Sequence, residues 1–293
     1  MAKQGRQLGA LTLARAVEMV MPFDRQSFFP DTKPGDWAPH EGWMKPHAMD
    51  PATGDVLFTV QSYVVRSPHH TILIDSCVGN HKERANRPLW HQKTDDTYLR
   101  ALASLELAPE DIDYVLCTHL HADHVGWNTR LVDGRWVPTF PNARYVFSKK
   151  ELDAWQHGGD ARFSRGPLED SVLPVIEAGM ADLVNHDFAL DDTVWLEPSP
   201  GHTPDHVSIR LASGGQNAVM SGDLMHSPVQ CLHPEWTAWP DWDAEQAKRT
   251  RHGFMERYAD TDMLVCTAHF PLPSAGRIVS AGDAFRFEAE AAW

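Results

Sequence analysis

Four side chains that can bind a metal ion lie within six residues of one another. Imidazole nitrogens suit borderline metals such as zinc, and one carboxylate adds charge without requiring the all-oxygen shell that calcium or magnesium prefers. Four ligands on one tight loop cannot all reach the same ion. The spacing therefore favours two neighbouring ions. The alternative is a histidine-rich surface loop that binds no metal. The four residues are His119, His121, Asp123 and His124.

Three further potential ligands stand alone later in the chain, each after a short apolar run typical of a buried strand. His202 lies in a loop bracketed by glycine and proline, Asp223 follows the run 218–220, and His269 follows the run 263–266. The cluster that begins at His119 likewise follows the apolar residues 115–117. Loops at one edge of a sheet lie close together, so these positions predict one shared site.

The order of these motifs resembles that of the dinuclear hydrolases of the metallo-β-lactamase fold. The matching pieces are residues 118–124, 201–203, 222–223 and 269, together with the early strand 72–75, and the resemblance runs from about residue 56 to about residue 278. It implies an α/β fold class, specifically an αββα sandwich of two mixed β-sheets flanked by helices.

The resemblance also implies how the ligands are shared between two metal ions. The implied ligands are His119, His121 and His202 for the first ion and Asp123, His124 and His269 for the second. Asp223 would bridge the two ions, and Asp75 would orient a ligand or its loop, unless it only caps the end of its strand. The expected cofactor is two zinc ions per chain, with manganese, cobalt or iron as alternatives.

Such a site implies metal-assisted hydrolysis. Two ions lower the pKa of a bridging water towards neutrality and so supply a hydroxide nucleophile, while one ion polarises the substrate carbonyl. A Gly-x-Ser-x-Gly motif is absent from the sequence, and Cys77 and Cys117 have no evident base. Asp123, Asp223 and His226 are the expected catalytic residues.

His226 bears on the substrate because it lies three residues beyond Asp223. N-acyl homoserine lactonases usually present a tyrosine there, whereas the histidine resembles the methyl parathion hydrolase branch. His226 would bond the substrate carbonyl or protonate the leaving group. Its alternative role is packing beside the metals.

Aromatic residues near the ligand loops predict either an apolar substrate pocket or ordinary core. Those singled out are Phe28, Phe29, Trp37, Trp43, Trp127, Trp236, Trp239 and Trp242. We therefore expect a neutral, largely apolar ester or lactone as substrate. The alternatives are a phosphotriesterase or other organic-pollutant hydrolase on the same site, and a non-catalytic metal-binding or sensor protein.

The composition is that of an ordinary globular enzyme. The 293 residues show no linker or repeat, which predicts a single domain over 1–293 with 22–50 as an irregular lid or binding segment. A formal net charge of −14 disfavours nucleic acid as a partner. The four cysteines lack C-x-x-C spacing, and no stretch is typical of a signal peptide or membrane span. We expect a cytoplasmic protein and, from the resemblance, a possible homodimer.

Sequence patterns predict alternating strands and helices, as an α/β fold requires. Strands are expected at 8–20, 56–65 and 71–75, and a hairpin at 207–211 and 218–220. Helices are expected at 94–107, from the capping serine at 148 through 155, and at 243–258.

Overall fold

The computed structural model describes residues 5–158, 162 and 165–291. The chain forms two compact units, and neither is a continuous stretch of sequence. The first unit takes the described residues up to 19 and those of 60–188, and the second takes 20–59 and the described residues from 189 onward. The single domain expected over 1–293 stays a prediction.

Most residues of a seven-stranded sheet belong to the first unit; in this sheet β4, β5, β8 and β9 run parallel and β3 pairs antiparallel with β4. In spatial order its strands are β1 (Arg6–Leu8), β2 (Leu11–Phe23), β3 (Val56–Arg66), β4 (Thr71–Ile74), β5 (Tyr114–Leu116), β8 (Arg144–Ser148) and β9 (Ala181–Val184). A separate hairpin pairs β6 (Thr129–Val132) with β7 (Arg135–Pro138). Parallel strands need crossover connections, and helices supply them here.

The helices of the first unit are short. They are α3 (Thr97–Ser104), α4 (Ala122–Val125), α5 (Lys149–His157) and α6 (Leu173–Glu177), the last preceded by a π-helical turn at Leu168–Val172. The Ser148 hydroxyl accepts from the Glu151 N–H and begins α5 where its sequence predicts. Helix α3 is shorter than the predicted 94–107 because Glu106 adopts a left-handed conformation, with φ of 59°, just after it.

The second unit contains a six-stranded sheet whose spatial order follows the sequence. Its strands are β10 (Val194–Pro198), β11 (Val207–Ser213), β12 (Gln216–Met220), β13 (Leu264–Cys266), β14 (Ala275–Ala281) and β15 (Ala284–Ala289). Only β12 and β13 pair in parallel, and α8 (Ala244–Tyr258) lies between them in sequence. Phe254 and Met255 of α8 pack against Val219, Val265 and Ile278, so the helix covers this sheet.

The segment 22–50 belongs to the second unit and is less irregular than its prolines and glycines predict. It forms α1 (Arg25–Phe28), a 3-10 turn at Pro34–Trp37 and α2 (Glu41–Met44). Phe29 and Trp37 are fully buried in a cluster with Trp236 and with Val229 of the short helix α7 (Val229–Leu232). Much of the segment is therefore core, and a role as a lid stays a prediction.

Two expectations about the rest of the chain can be compared with the structure. All four cysteines are buried and free, in keeping with the absence of C-x-x-C spacing. Among the helices that the structure describes, none has the length and apolar composition needed to cross a membrane.

Candidate metal centre

The first unit places its four predicted ligands on the loop after β5 and on α4. Because β4 and β5 are parallel neighbours, the residues that follow both strands lie at the same edge of the sheet. The rings of His119 and His121 have centroids 4.7 Å apart, and those of His119 and His124 are 4.1 Å apart. All three imidazoles are buried, so this unit brings these three predicted ligands close together.

Asp75 follows β4 and fixes this loop through both carboxylate oxygens. One oxygen accepts from the Thr118 N–H at 2.8 Å, and the other accepts from the Thr118 hydroxyl at 2.9 Å and contacts His124 Nδ1 at 2.8 Å. The Thr118 hydroxyl also lies 3.0 Å from His119 Nδ1. Asp75 therefore orients His124 directly and His119 through one intervening hydroxyl, in keeping with its expected supporting role.

A close backbone approach holds the residues after Asp75 against the ligand helix. The Ser76 N–H donates to the His124 carbonyl at 2.7 Å, and the Gly126 N–H donates to the Cys77 carbonyl at 2.7 Å. A Cβ atom on Gly126 would lie 1.8 Å from the Val78 carbonyl oxygen, so only glycine fits.

The second unit brings its three predicted ligands to one edge of its own sheet. Strands β10, β12 and β13 all run in the same direction and end at the same edge. β10 and β12 both pair antiparallel with β11, and β12 pairs in parallel with β13. The Asp223 carboxylate lies 3.3 Å from His202 Nε2 and 3.0 Å from His269 Nε2. Gly201 seats its loop on the start of α8, where a Cβ would meet the Ala247 nitrogen at 2.4 Å.

Each histidine ligand of this unit is held by its other ring nitrogen. His202 Nδ1 lies 2.9 Å from an Asp241 carboxylate oxygen, and His269 Nδ1 lies 2.9 Å from the Thr59 carbonyl oxygen. In the neutral ring, an acceptor at Nδ1 fixes the proton there and leaves Nε2 with a lone pair, which is the tautomer that a metal requires.

His206 supports Asp223 and was not predicted from the sequence. Its Nδ1–H donates to the Ser199 carbonyl at 3.1 Å, so its Nε2 accepts from the Asp223 N–H at 3.0 Å. Its position four residues after His202 was the only available signal. Asp241 was also missed, because nothing in its surroundings distinguishes it among 40 acidic residues.

In the second unit, burial and hydrogen-bonded charges shift the pKa of each site residue in opposite directions. Burial alone would lower the pKa of His202, but hydrogen bonds to Asp223 and Asp241 raise it to about 9. Burial would raise the pKa of Asp241, but His202 and Arg251 lower it to about 2. Burial lowers the pKa of His226 to about 4 despite the nearby Asp223 carboxylate, so His226 is neutral at pH 7.

His226 lies in the second unit beside the Asp223 carboxylate, with its Nε2 at 3.2 Å. Its ring stacks on that of His269 at a centroid distance of 5.7 Å and contacts the ring of Phe28 at 5.1 Å. Its Nδ1 is buried and has no hydrogen-bond partner in the part of the chain that the structure describes. The ring therefore has a polar atom to offer a ligand.

The other aromatic residues that predict a pocket have different surroundings. Phe29, Trp37 and Trp236 are core residues of the second unit, and Trp127 is buried with its Nε1–H donating to Glu18. Trp43 is 46% exposed, and Trp239 and Trp242 are half-buried. Of these residues, Phe28 is the one with a ring contact to His226.

The donor sets fit a borderline metal such as zinc. Both units supply buried imidazoles with acceptors at Nδ1, and each supplies an aspartate carboxylate in the predicted ligand set, Asp123 and Asp223. A mixed imidazole and carboxylate set also admits manganese, cobalt or iron.

Comparison with known proteins gives a family and a fold. The model of a family described as the metallo-beta-lactamase superfamily matches residues 55–253. An N-acyl homoserine lactonase from a Bacillus species is 27% identical over 126 residues, which are 43% of each chain. N-acyl homoserine lactonase AttM of Azorhizobium caulinodans is 29% identical over 182 residues, 55% of this chain and 63% of that protein. The chain thus spans about half the length of these relatives.

Two solved structures are similar over almost the whole chain. AidC, a dizinc quorum-quenching lactonase in complex with a product, gives a TM-score of 0.81 at 21% identity, covering 99% of this chain and 98% of AidC. The hydrolase AbOPH, of the beta lactamase superfamily, gives 0.80 at 24% identity, covering 97% and 96%. At these identities the likeness concerns the fold, and it confirms the predicted fold class of two mixed sheets with flanking helices.

Proposed function

This chain belongs to the metallo-beta-lactamase superfamily, and from that premise we propose that it is a dinuclear metal-dependent hydrolase of a neutral, largely apolar ester or lactone. The observation that carries the proposal is the state of the histidines. Acceptors hold the Nδ1 atoms of His124 in the first unit and of His202 and His269 in the second, so the Nε2 atoms of these residues suit a metal. The lactonases among the relatives support an ester or lactone bond as the target.

The ligand sets of the proposal are those that the family resemblance implies. In this proposal the ligand sets are His119, His121 and His202 for one ion and Asp123, His124 and His269 for the other, with Asp223 shared between them. Two zinc ions would supply, when bound, a bridging water activated as hydroxide. The chain's own contribution is to hold the imidazoles in one tautomer, which Asp75 and Asp241 do from behind.

His226 would act on the substrate rather than on the metals. Its neutral imidazole is buried between Asp223 on one side and the rings of Phe28 and Phe58 on the other. With the Asp223 carboxylate taken up by the metals, the ring proton would move from Nε2, now 3.2 Å from that carboxylate, to Nδ1, and the Nδ1–H would donate one hydrogen bond to the substrate carbonyl. The rings of Phe28 and Phe58 would exclude water around it. Its low pKa favours hydrogen bonding over donation of a full proton at neutral pH.

Turnover by the zinc-loaded protein tests the proposal. The substrates are alkyl lactones, aryl esters, phosphotriesters and β-lactams, and the variant is Asp223→Ala. We expect an ester or lactone to be cleaved by the wild type and not by the variant, whereas Asp153→Ala, at an exposed position on α5, should match the wild type. A preference for phosphotriesters would replace the proposed substrate class. Binding of two metals with no turnover of any substrate would favour a sensor.

Cytoplasmic location, the homodimer and the absence of a nucleic-acid partner stay predictions.

A further inference from the structure

A fully buried arginine, Arg251, lies on helix α8 of the second unit. The Arg251 guanidinium donates from Nε to the Leu224 carbonyl at 2.9 Å and from Nη1 to the Pro234 and Trp236 carbonyls at 2.8 and 2.9 Å. Its Nη2 donates to Asp241 at 3.2 Å. One side chain therefore ties the residue after Asp223 to the loop that carries Asp241.

Asp241 is fully buried between this arginine and a predicted metal ligand. One of its carboxylate oxygens contacts His202 Nδ1 at 2.9 Å. The other accepts from Arg251 and from the Ala238 N–H at 3.0 Å. The ion pair and the histidine thus form one chain of contacts from α8 to the predicted ligand.

Stability alone is a weak reason for such a pair. Burying two charges costs several kcal/mol per ion, and well-packed apolar residues of similar volume are often as stable. The pair is better explained by what each of its members contacts. Asp241 contacts the predicted ligand His202, and Arg251 holds the Leu224 carbonyl next to the predicted ligand Asp223.

We propose that Asp241 and Arg251 are positioning residues for the metal bound by His202, a role that rests on the proposed function. Asp241 keeps the proton on His202 Nδ1 and turns Nε2 towards the metal, and its charge makes the imidazole a stronger ligand. Arg251 fixes Asp241 and holds the main chain beside Asp223, so both ligands keep their relative positions within the second unit.

Metal affinity of Asp241→Asn tests this role without any substrate. An asparagine must point its NH2 group either at His202 Nδ1 or at Ala238 N–H and Arg251, and in both cases two donors face each other. We expect zinc at one of the two sites to bind about 10- to 100-fold more weakly in competition with a chelating dye. The matched control is Asp262→Asn, which removes an exposed carboxylate paired with Arg277 in the same unit.

The second variant is Arg251→Met, compared with Arg257→Met on the same helix, where Arg257 pairs with Glu197 at an exposed position. Arg251→Met should weaken zinc binding at the same site and change the visible spectrum of the cobalt-substituted protein, whereas Arg257→Met should do neither. Unchanged zinc affinity and an unchanged cobalt spectrum in folded Asp241→Asn would overturn the proposal.

Nitrogen NMR of the wild type covers the case in which the variants fail to fold. In the zinc-loaded protein, the His202 resonance, assigned by its loss in His202→Gln, should show a slowly exchanging proton on Nδ1. An unprotonated Nδ1 would overturn the positioning role. A protein that binds zinc with this signature but hydrolyses no substrate would disprove the hydrolase and leave the positioning role standing.

Discussion

At the residue scale, the sequence pointed to candidate ligands and to one supporting residue, Asp75, but not to the other supporting partners. Histidine and aspartate in the pattern 119–124 carry their chemistry in the sequence itself. The partners come from far away in the chain, since Asp241 lies 39 residues after His202 and Thr59 lies 210 residues before His269. Thr59 contributes only a main-chain carbonyl, which any residue type would offer, so no sequence pattern marks it.

His226→Ala should slow turnover while both metals stay bound. Removal of one hydrogen-bond donor to a developing oxyanion typically costs about 100- to 1,000-fold, and we expect a loss in this range for both an alkyl lactone and an aryl ester. The measurement is kcat/KM for each substrate, with zinc content determined on the same samples.

A larger loss on the lactone than on the aryl ester would instead indicate that His226 protonates the leaving alkoxide, because a phenolate leaves without a proton. No loss on either substrate would leave His226 as a packing residue.

Zinc binding should strengthen as the pH rises towards 9. The pKa of His202 in the metal-free protein is raised to about 9 by Asp223 and Asp241 against the burial that would lower it, so zinc displaces a proton from it at pH 7. The same shift stabilises the metal-free fold fully below about pH 6.5, the ordinary histidine value, and this stabilisation is lost as the pH rises through 9. Competition titrations between pH 6.5 and 9.5 measure the first effect, and a pH-independent affinity would contradict it.

At the scale of elements, the strands that precede the predicted ligands were predicted well, because each ligand marks the end of its strand. The runs before His119, Asp223 and His269 became β5, β12 and β13 within one or two residues. Sheet order was not predictable from these runs, since a parallel pair such as β12 and β13 depends on contacts across the 43 residues between them. The polar pattern of α8 likewise concealed Arg251, because a buried arginine and a solvated one have the same sequence signature.

A second buried charge network joins two elements of the first unit. The π-helical turn at Leu168–Val172 carries Asp170, which accepts from both terminal nitrogens of Arg84 at 2.7 and 2.9 Å. Lys82 Nζ lies 3.6 Å from the same carboxylate and donates to the Asp170 carbonyl at 2.9 Å. Burial lowers the pKa of Lys82 to about 7 although Asp170 opposes this shift.

Asp170→Asn should lower the free energy of unfolding by about 3–5 kcal/mol, because it leaves two buried cations without their counter-charge. Urea unfolding of zinc-saturated protein measures the loss. The control is Asp153→Asn, whose ion pair with Lys149 is half-exposed and should contribute at most about 0.5 kcal/mol. Equal, small changes in both variants would show that solvent reaches Lys82 and Arg84 freely.

At the scale of the whole molecule, the fold class followed from the motifs and the division of the chain did not. A family model that matches residues 55–253 and a TM-score of 0.81 agree with the fold implied by four short motifs. The assignment of 20–59 to the second unit depends on packing of Phe29 and Trp37 with Trp236, which lies some 200 residues away in sequence. Local patterns carry no information about such contacts.

Removal of the metal should destabilise the protein, and re-addition of zinc should restore its stability. The purified protein is expected to bind two ions per chain, measured by elemental analysis after mild dialysis. A ligand at 1,000 times its dissociation constant stabilises a fold by about 4 kcal/mol, so chelation should lower the melting temperature by several degrees. Content that never exceeds one ion per chain would rule out the dinuclear site, and an unchanged melting temperature would argue against ligands donated by the folded state.

Because the second unit combines an early and a late part of the chain, it can fold only after most of the chain has been synthesised. Residues 60–188 belong to the first unit, so its large sheet can assemble on the ribosome once residue 188 has emerged. Phe29 and Trp37 emerge much earlier but pack with Val229 and Trp236, so these apolar side chains wait for these two late partners while the intervening chain is translated at about 5–20 residues per second. The aromatic segment that stabilises the finished second unit is therefore exposed to aggregation during translation.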